Sequence, residues 1–332
     1  MAGEFGTVFM PEMARARFDG RAWSDPELAP ADRLELHPGA HVLHYASTCF
    51  EGMKAFRHED GRVALFRPAL NLARFRRSGD LLCLPPIEPA HTRALIELVL
   101  GRFVAEVPEP PASMYVRPTH VGTEPAIGKA AAPSATSLQF VLLSPVGDYF
   151  AGGERALRVL VETEGARCGH DHGAAKGGGN YASALKHVVR AQAELGADQV
   201  LFCPGGDVTE TGAAKFLLVE GGELVTRALD DSFLHGVTRD SVLALARDAG
   251  LAVAERELGV EEVLERAARP DAEAGLTGTA AVIAAVGTLI RGGREHAVGT
   301  GAPGPILRDL RARLNAIQWG RAEDAHGWLE FV

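Results

Sequence analysis

The chain has no surplus of positive charge, and this absence excludes two classes of partner. Its 332 residues contain 43 Asp and Glu against 34 Lys and Arg, which gives a formal net charge of −9 at pH 7. Proteins that bind nucleic acid or anionic membranes usually present a basic patch. We therefore expect neither a nucleic acid nor a membrane as a partner.

Long apolar runs, a leader pattern and cysteine pairs are also lacking. No stretch approaches the roughly 20 apolar residues of a membrane-spanning helix, and the N-terminal segment lacks a basic stretch followed by an apolar one. Cys49, Cys83, Cys168 and Cys203 are widely spaced and form no C-x-x-C pair. This usage is typical of reduced thiols and indicates a cytoplasmic protein.

Common catalytic and cofactor motifs are absent or incomplete. No G-x-S-x-G is present, so a serine hydrolase is not supported. Residues 299–304 match G-x-G-x-x-G, but prolines and the lack of a βαβ context make a nicotinamide-dependent oxidoreductase a weak alternative. Cys168, His170 and His172 lack a nearby fourth ligand, so no metal site is expected.

Length and turn residues predict two domains. A hydrophobic content of 46% and a charged content of 23% are ordinary for a globular protein, and 332 residues are many for one core. The stretch 144–154, SPVGDYFAGGE, separates two strand-like runs. We predict a smaller N-terminal domain over 1–146, a loop over 147–153 and a larger domain over 154–332, both α+β.

Periodicity predicts the secondary-structure elements of both halves. Predicted helices cover 69–82, 90–107, 182–195, 238–249 and 307–319, with Thr238 as an N-cap. Predicted strands cover 42–45, 50–57, 63–66, 114–117, 138–143, 157–162, 199–203, 216–219 and 277–287.

The stretch KGGGNY at 176–181 is the strongest candidate for chemistry. Glycines permit positive φ and let another molecule approach the backbone closely. A lysine in such a loop can be a surface charge, a phosphate clamp or a covalent nucleophile. Gly177 follows Lys176 where the nucleotide-binding P-loop has Ser or Thr, so that alternative fails.

Further features suit an organic cofactor that carries an aldehyde and a phosphate. Glu210 follows a strand and can pair with a protonated ring nitrogen. The segment 236–238 opens a helix, whose N–H groups receive phosphate. Thr279 offers a hydroxyl beside a glycine, and Arg74 offers a fixed positive charge. Each feature taken alone is more often a solvated turn residue or a helix cap.

In this order, the motifs resemble class IV aminotransferases that use pyridoxal 5'-phosphate, and most closely branched-chain amino-acid aminotransferases. The resemblance covers nearly the whole chain. Its main blocks are LHPGAHVLHYASTCFEGMKAFR (36–57), LFRPALNLARF (65–75), MYVRPTHVGTEPAIG (114–128), KGGGNYASAL (176–185), VTETG (208–212), HGVTRDS (235–241) and TGTAAV (277–282).

The resemblance implies a two-domain fold-type IV structure, like D-amino-acid aminotransferase, with the cofactor in the cleft between the domains. Lys176 would join the cofactor covalently and carry the proton between carbon atoms. The other residues implied to bind the cofactor are Arg74, Tyr181, Glu210, Val237, Thr238 and Thr279. Those implied to line or support the substrate pocket are Phe50, Tyr45, Tyr115, Arg117, Tyr149, Ala213 and Ala280.

The sequence departs from the family pattern after Glu210. Ala213 and Ala214 stand where the family has a polar and a bulkier residue, and Lys215 replaces an asparagine. One hypothesis is that the alanines widen the pocket and that Lys215 adds a charge, which would favour larger or more acidic substrates than leucine. The alternative is that Lys215 faces solvent, because lysines are rarely buried.

The resemblance thus predicts a homodimeric transaminase that moves an amino group between an L-amino acid, of the branched-chain type, and 2-oxoglutarate. The alternatives on the same fold are an aminotransferase for D-amino, aromatic or specialised biosynthetic substrates and an aminodeoxychorismate-type lyase. A non-catalytic relative that binds the cofactor is a further alternative. The physiological amino donor and the pathway do not follow from the sequence.

Overall fold

The computed structural model describes residues 5–150 and 153–332, which form two compact units. The first unit contains the described chain up to Asp148, together with 175–179 and 317–332; the second contains the described residues of 149–174 and 180–316. This grouping differs from the predicted linear division because two short later segments pack with the N-terminal unit. Residues 151 and 152 of the predicted loop lie outside the described residues.

Strands and helices occur in both units. The strands are β1 (Glu12–Phe18), β2 (Glu27–Pro30), β3 (Thr48–Phe50), β4 (Met53–Arg57), β5 (Val63–Phe66), β6 (Ser113–Gly122), β7 (Ser137–Val146), β8 (Leu157–Glu162), β9 (Gln199–Phe202), β10 (Lys215–Glu220), β11 (Glu223–Arg227), β12 (Ala252–Arg256), β13 (Glu273–Gly278), β14 (Val282–Arg291), β15 (Arg294–Ala297) and β16 (Leu329–Phe331). The α-helices are α1 (His41–Tyr45), α2 (Pro68–Leu81), α3 (Pro89–Arg102), α4 (Gly178–Leu195), α5 (Val237–Asp248), α6 (Val260–Ala267) and α7 (Pro305–Gln318).

The first unit is built on an antiparallel sheet. Its strand order is β16-β5-β4-β6-β7-β1-β2, and β3 pairs with β6 beside this path. Helix α3 buries Leu95, Ile96 and Val99 against the sheet in a core that includes Met53 and Val116. This spacing of apolar residues puts them on one face of the helix.

The second unit is built on a mixed sheet. Its strand order is β12-β11-β10-β13-β14-β8-β9, and β15 pairs with β14. The β11–β12, β14–β8 and β8–β9 pairs are parallel, and the other pairs are antiparallel. Helix α6 packs Val260 and Val263 into a core with Phe216 and Leu218 of β10. The observed architecture is therefore α+β in both units, as predicted.

Several predicted elements differ from the structure. The predicted strand 50–57 is interrupted at 51–52, between β3 and β4, and the predicted helix 90–107 ends at Arg102. Residues 42–45 were predicted as a strand but lie in α1, where the buried His41 side chain bonds Ser47 Oγ at 2.9 Å. The run 277–287 was predicted as one strand but contains a turn between β13 and β14. Helix α4 begins at Gly178, ahead of the predicted start at Ala182. The run 42–45 is too short for periodicity to separate a helix from a strand.

In the described ranges, no helix is both long enough and apolar enough to cross a bilayer. Cys49, Cys83, Cys168 and Cys203 are all free thiols.

Candidate active site

The segment that carries Lys176 lies along β3 in the first unit. Phe50 N–H donates to the Lys176 carbonyl at 3.0 Å, and Gly177 forms a bridge with Cys49. Lys176 N–H donates to Ser78 Oγ, on α2, at 2.9 Å. Backbone bonds on both sides of the lysine therefore fix its Cα position without using its side chain.

The glycines after Lys176 permit close packing rather than an unusual backbone conformation. A Cβ atom on Gly177 would lie 3.2 Å from Leu82 Cδ1, and one on Gly178 would lie 3.1 Å from Thr48 Cγ2. Neither glycine has a positive φ. A neighbour does approach closely at these two positions, but it is the protein itself.

The Lys176 amine lies in a desolvated and positively charged environment. The residue is partly exposed, but its Nζ lies over the Phe50 ring, 5.0 Å from the centroid. Burial of the amine, followed by the positive charge of Arg74, lowers the pKa of Lys176 to about 8, although the nearby Glu51 carboxylate opposes the shift. An amine with such a pKa has a substantial neutral fraction near neutral pH and can accept a proton.

A largely buried ion pair lies beside this amine. Arg74 donates from Nε to Glu51 Oε1 at 2.6 Å and from Nη2 to Oε2 at 2.8 Å. Asn71 Nδ2 also donates to Glu51 Oε2, at 2.8 Å. Burial alone would raise the pKa of Glu51, but the charge and hydrogen bonds of Arg74 hold it below its ordinary value. Asn71, Arg74 and Ser78 share one face of α2 because they follow its three-to-four-residue spacing.

Two aromatic side chains and one arginine form a further group near Lys176 in the first unit. Tyr115 and Arg117 alternate along β6 and so point to the same side of the strand. Arg117 lies over the Phe50 ring at 4.6 Å and donates to the Tyr115 hydroxyl at 2.9 Å. A Cβ atom on Gly52 would lie 1.9 Å from that hydroxyl, so the position requires glycine. The predicted residues Phe50, Tyr115 and Arg117 thus come together with Lys176.

Glu210 is the centre of a second charged group, in the second unit. Its side chain is 1% exposed. Oε2 accepts from Lys215 Nζ at 2.7 Å, and Oε1 lies 2.7 Å from Arg167 Nε. The N–H of Leu234 donates to Oε1 at 3.0 Å. Two buried basic side chains thus face this carboxylate. Burial lowers the pKa of Lys215, and the charge and hydrogen bond of Glu210 oppose that shift.

The turn at 211–214 brings Lys215 back to Glu210. Thr211 Oγ1 accepts from the Ala214 N–H at 2.9 Å and donates to the Ala214 carbonyl at 3.0 Å. Glu210 and Lys215 form an antiparallel bridge across this turn. The Lys215 side chain is 5% exposed, so the alternative that it faces solvent is wrong. Its amine is bound to Glu210, which does not favour the hypothesis of an added charge for acidic substrates.

The start of α5 offers backbone donors, as predicted for a phosphate site. Gly236 is the N-cap, with an extended backbone and no side-chain cap, and Val237 and Thr238 form the first turn. Thr238 is therefore within the helix and not its cap. The phosphate is expected where such N–H groups and the helix dipole meet.

A buried hydroxyl lies on β13, the strand that pairs with β10. Thr277 lies opposite Lys215 in the β10–β13 register. Its Oγ1 is buried and has no hydrogen-bond partner among the described residues. Thr279, the residue predicted from the sequence, lies in the turn that follows β13.

The remaining predicted residues have contacts elsewhere or only partial support. Tyr181 lies in the first turn of α4, close enough to Lys215 to influence its charge. Tyr45 donates its hydroxyl to the Ile127 carbonyl and packs against His41. Tyr149 is 52% exposed and packs on Phe150. Ala213 and Ala280 lie in turns of the second unit.

Each unit contains residues whose chemistry suits a phosphate-bearing aldehyde cofactor. Lys176 supplies an amine with a lowered pKa, and Glu210 supplies a buried carboxylate. Arg117 Nε in the first unit and Thr277 Oγ1 in the second are buried donors without a hydrogen-bond partner among the described residues. Such groups rarely stay unpaired. No group of His, Cys, Asp or Glu side chains that could hold a metal ion assembles within the described ranges.

Comparison with known proteins agrees with this chemistry. A family profile described as "Amino-transferase class IV" matches residues 48–287. The chain belongs to this family of pyridoxal-phosphate-dependent enzymes. The predictions of the family, of the fold type, of a transaminase and of pyridoxal 5'-phosphate as cofactor are confirmed.

Several aminotransferases are similar to the chain over nearly its full length. Branched-chain-amino-acid aminotransferase 2 of Bacillus subtilis is 38% identical over 98% of this chain and 90% of that protein. A branched-chain-amino-acid aminotransferase of Mycobacterium tuberculosis is 39% identical with the same coverage. The crystal structure of a T.th. branched-chain amino acid aminotransferase with pyridoxamine 5'-phosphate has a TM-score of 0.78 and 27% identity, covering 92% of this chain and 95% of that chain.

Residues that complete the two charged groups were missed in the sequence. Glu51, Asn71 and Ser78 surround Lys176 or Arg74, and Arg167 holds Glu210. For Glu51 a signal existed, since a carboxylate stands between Phe50 and Gly52 in a strand-like run. Arg167 carried no local signal, because its partner Glu210 lies far along the chain.

Proposed function

We propose that the protein is a branched-chain amino-acid aminotransferase that moves an amino group between leucine, isoleucine or valine and 2-oxoglutarate. The observation that carries the proposal is the Lys176 amine, whose pKa is lowered to about 8 beside a Glu51–Arg74 pair. The two relatives named above carry this activity in their names. Neither a D-amino-acid enzyme nor a lyase has comparable support.

Lys176 moves the proton. When bound, pyridoxal phosphate supplies an aldehyde carbon that joins amines and a ring that accepts an electron pair. Lys176 Nζ would take the proton from the substrate α-carbon and return it to the carbon that carried the cofactor's aldehyde, which requires a neutral amine. Burial away from water favours that neutral form, and so does the positive charge of Arg74.

The other predicted residues would bind and orient the cofactor. Glu210 would accept a hydrogen bond from the protonated ring nitrogen, and Tyr181 would donate to the ring oxygen. The N–H groups of Val237 and Thr238, with the hydroxyl of Thr279, would receive the phosphate. The family resemblance implies that Arg74 would supply a fixed positive charge to the phosphate; in the first unit it is paired with Glu51.

Substrate binding combines an apolar surface with one cation. The Phe50 ring suits a branched aliphatic side chain, and Arg117 suits a carboxylate. Arg117 Nε is buried without a partner among the described residues, so a substrate carboxylate would satisfy it. The roles of Tyr45, Tyr149, Ala213 and Ala280 in the pocket stay predictions.

We further propose a homodimer in the cytoplasm. Apolar side chains of the first unit are exposed, including Leu43 at 59% and Ile127 at 67%, and exposed apolar surface often marks an interface. Sedimentation equilibrium tests the dimer, and a monomer at micromolar concentration would contradict it. The free thiols are in keeping with a reducing compartment.

The activity is tested on the purified protein with a panel of amino donors and 2-oxoglutarate. We expect leucine, isoleucine and valine to give higher kcat/KM than phenylalanine or D-alanine. Borohydride treatment of the yellow protein should attach the cofactor to the peptide that contains Lys176. Lys186→Met, at an exposed lysine of α4, serves as the control for Lys176→Met. Absence of bound pyridoxal phosphate, or preference for D-amino acids, would overturn the proposal.

A further inference from the structure

Glu210 already accepts one hydrogen bond on each carboxylate oxygen. Oε2 accepts from Lys215 Nζ, and Oε1 accepts from the Leu234 N–H. Arg167 Nε lies 2.7 Å from Oε1 as an ion contact, but it makes no hydrogen bond among the described residues. An ionised carboxylate offers about four acceptor positions. A ring nitrogen would therefore share this carboxylate with the Lys215 amine.

The packing of Lys215 fixes its amine. A Cβ atom on Gly236 would lie 3.0 Å from Lys215 Cδ and 3.4 Å from Cε, so the lysine stem crosses closely over this glycine. The side chain is 5% exposed and its partner Glu210 is 1% exposed. An amine held in this way cannot turn to solvent without leaving a cavity and an unpaired carboxylate oxygen.

We propose that Lys215 is a positioning residue that orients Glu210 and reduces the negative potential that this carboxylate presents to the cofactor ring. The proposal rests on the proposed function in taking pyridoxal phosphate as the ligand. It follows from the count of charges around Glu210, which are one carboxylate and two cations. With Arg167 alone the group would be neutral, and a protonated Lys215 adds one positive charge. Burial lowers the pKa of Lys215, and the charge and hydrogen bond of Glu210 oppose that shift.

This charge has a measurable consequence for the bound cofactor. A positive potential disfavours a proton on the cofactor, so the pH-dependent change in visible absorbance should occur at a lower pH with Lys215 present. A unit charge roughly 10 Å away in a protein interior shifts such a midpoint by about one pH unit.

The main experiment compares holoenzymes by pH titration of their visible absorbance. Lys215→Met keeps the length of the stem and removes the charge, so we expect the midpoint to rise by about one pH unit. Lys215→Arg should restore the midpoint, and Lys186→Met should leave it unchanged. An unchanged midpoint in Lys215→Met overturns the inference but leaves the proposed function intact. Failure of the unaltered protein to bind the cofactor would instead overturn the proposed function.

A second measurement covers the case in which Lys215→Met folds poorly. Urea unfolding of the cofactor-free chain is compared for Glu210→Gln, Lys215→Met and the double variant. If the two groups form the buried pair, each single variant lowers the urea midpoint, and the double variant loses less than the sum of the two. Strict additivity would mean that the amine does not act through Glu210 and would overturn the inference.

Discussion

Arg74 holds Glu51 with two parallel hydrogen bonds, from Nε at 2.6 Å and from Nη2 at 2.8 Å, and the carboxylate is wholly buried. This geometry is the strong, bidentate form of an arginine–carboxylate pair. It places a neutralised charge pair directly beside the amine of Lys176. The pair affects both the stability of the first unit and the pKa of the Lys176 amine. These two effects can be separated by experiment.

Glu51→Gln should destabilise the cofactor-free protein by about 3 kcal/mol, because it leaves Arg74 as an uncompensated, largely buried cation. The free energy of unfolding in urea gives this value. Burial is outweighed by Arg74, so the pKa of Glu51 is below its ordinary 4.5. The stabilisation is therefore present above that pH and is lost as pH falls further. Glu27→Gln, in the exposed pair with Arg15, should cost less than about 1 kcal/mol; equal losses would contradict the prediction.

Lys176→Met should stabilise the cofactor-free protein by about 2 kcal/mol at pH 7, because the buried amine is costly to protonate. The pKa of Lys176 falls from 10.5 to about 8 on folding, chiefly through desolvation. Between these values the unfolded chain holds the proton and the native chain does not, so the unaltered protein gains stability as pH rises. The advantage of the variant should thus shrink as pH rises from about 8 to 10.5. Urea unfolding at several pH values tests this, and a constant difference would refute it.

The same Lys176→Met variant should lose at least about a thousandfold in kcat, since no other amine then moves the proton. Stopped-flow absorbance with leucine as the amino donor measures the rate of this proton transfer. Exposed Lys186→Met should retain full activity. Residual turnover near the unaltered rate would show that another group carries the proton.

Gly52→Ala should displace the Tyr115 hydroxyl, because the added Cβ would lie 1.9 Å from it. We expect kcat/KM for leucine to fall by more than about tenfold and stability to fall by about 1–3 kcal/mol. Gly101→Ala, inside α3 where nothing lies within 4 Å, should instead stabilise the protein by about 0.5–1 kcal/mol. Normal activity in Gly52→Ala would remove Tyr115 from the substrate pocket.

Arg117→Met should weaken productive binding of glutamate by about tenfold or more in kcat/KM, because a charge-assisted hydrogen bond to a carboxylate is lost. Steady-state rates with glutamate and leucine make the measurement. An equal loss for both donors would assign Arg117 to the α-carboxylate. A loss confined to glutamate would assign it to the side-chain carboxylate. No loss for either donor contradicts the role.

Long elements with clear periodicity were predictable from the sequence, and short ones were not. Helix α3 and strand β8 follow apolar patterns that reach the core. Helix α1 spans only 41–45, and its first residue, His41, is held by Ser47 and by two backbone carbonyls that come from far along the chain. Such tertiary bonds override local propensity, and no short sequence window contains them.

For the candidate site, family motifs located the groups but not their counter-charges. Lys176 and Glu210 could be named from their motifs, whereas the burial of Lys215 could not, because an isolated lysine is usually exposed. Its ion pair depends on the tight turn that Thr211 closes. The partner of Arg74 was likewise hidden, since Glu51 precedes it by 23 positions.

The grouping of residues 175–179 and 317–332 with the first unit limits how this protein can be dissected. A fragment cut after Asp148 would lose the lysine together with β16, which covers the edge of β5. The complementary fragment would keep Lys176 but not Phe50, whose N–H binds the lysine carbonyl. Neither piece produced separately should fold into a working half, and activity should return only when both are co-expressed and reassociate.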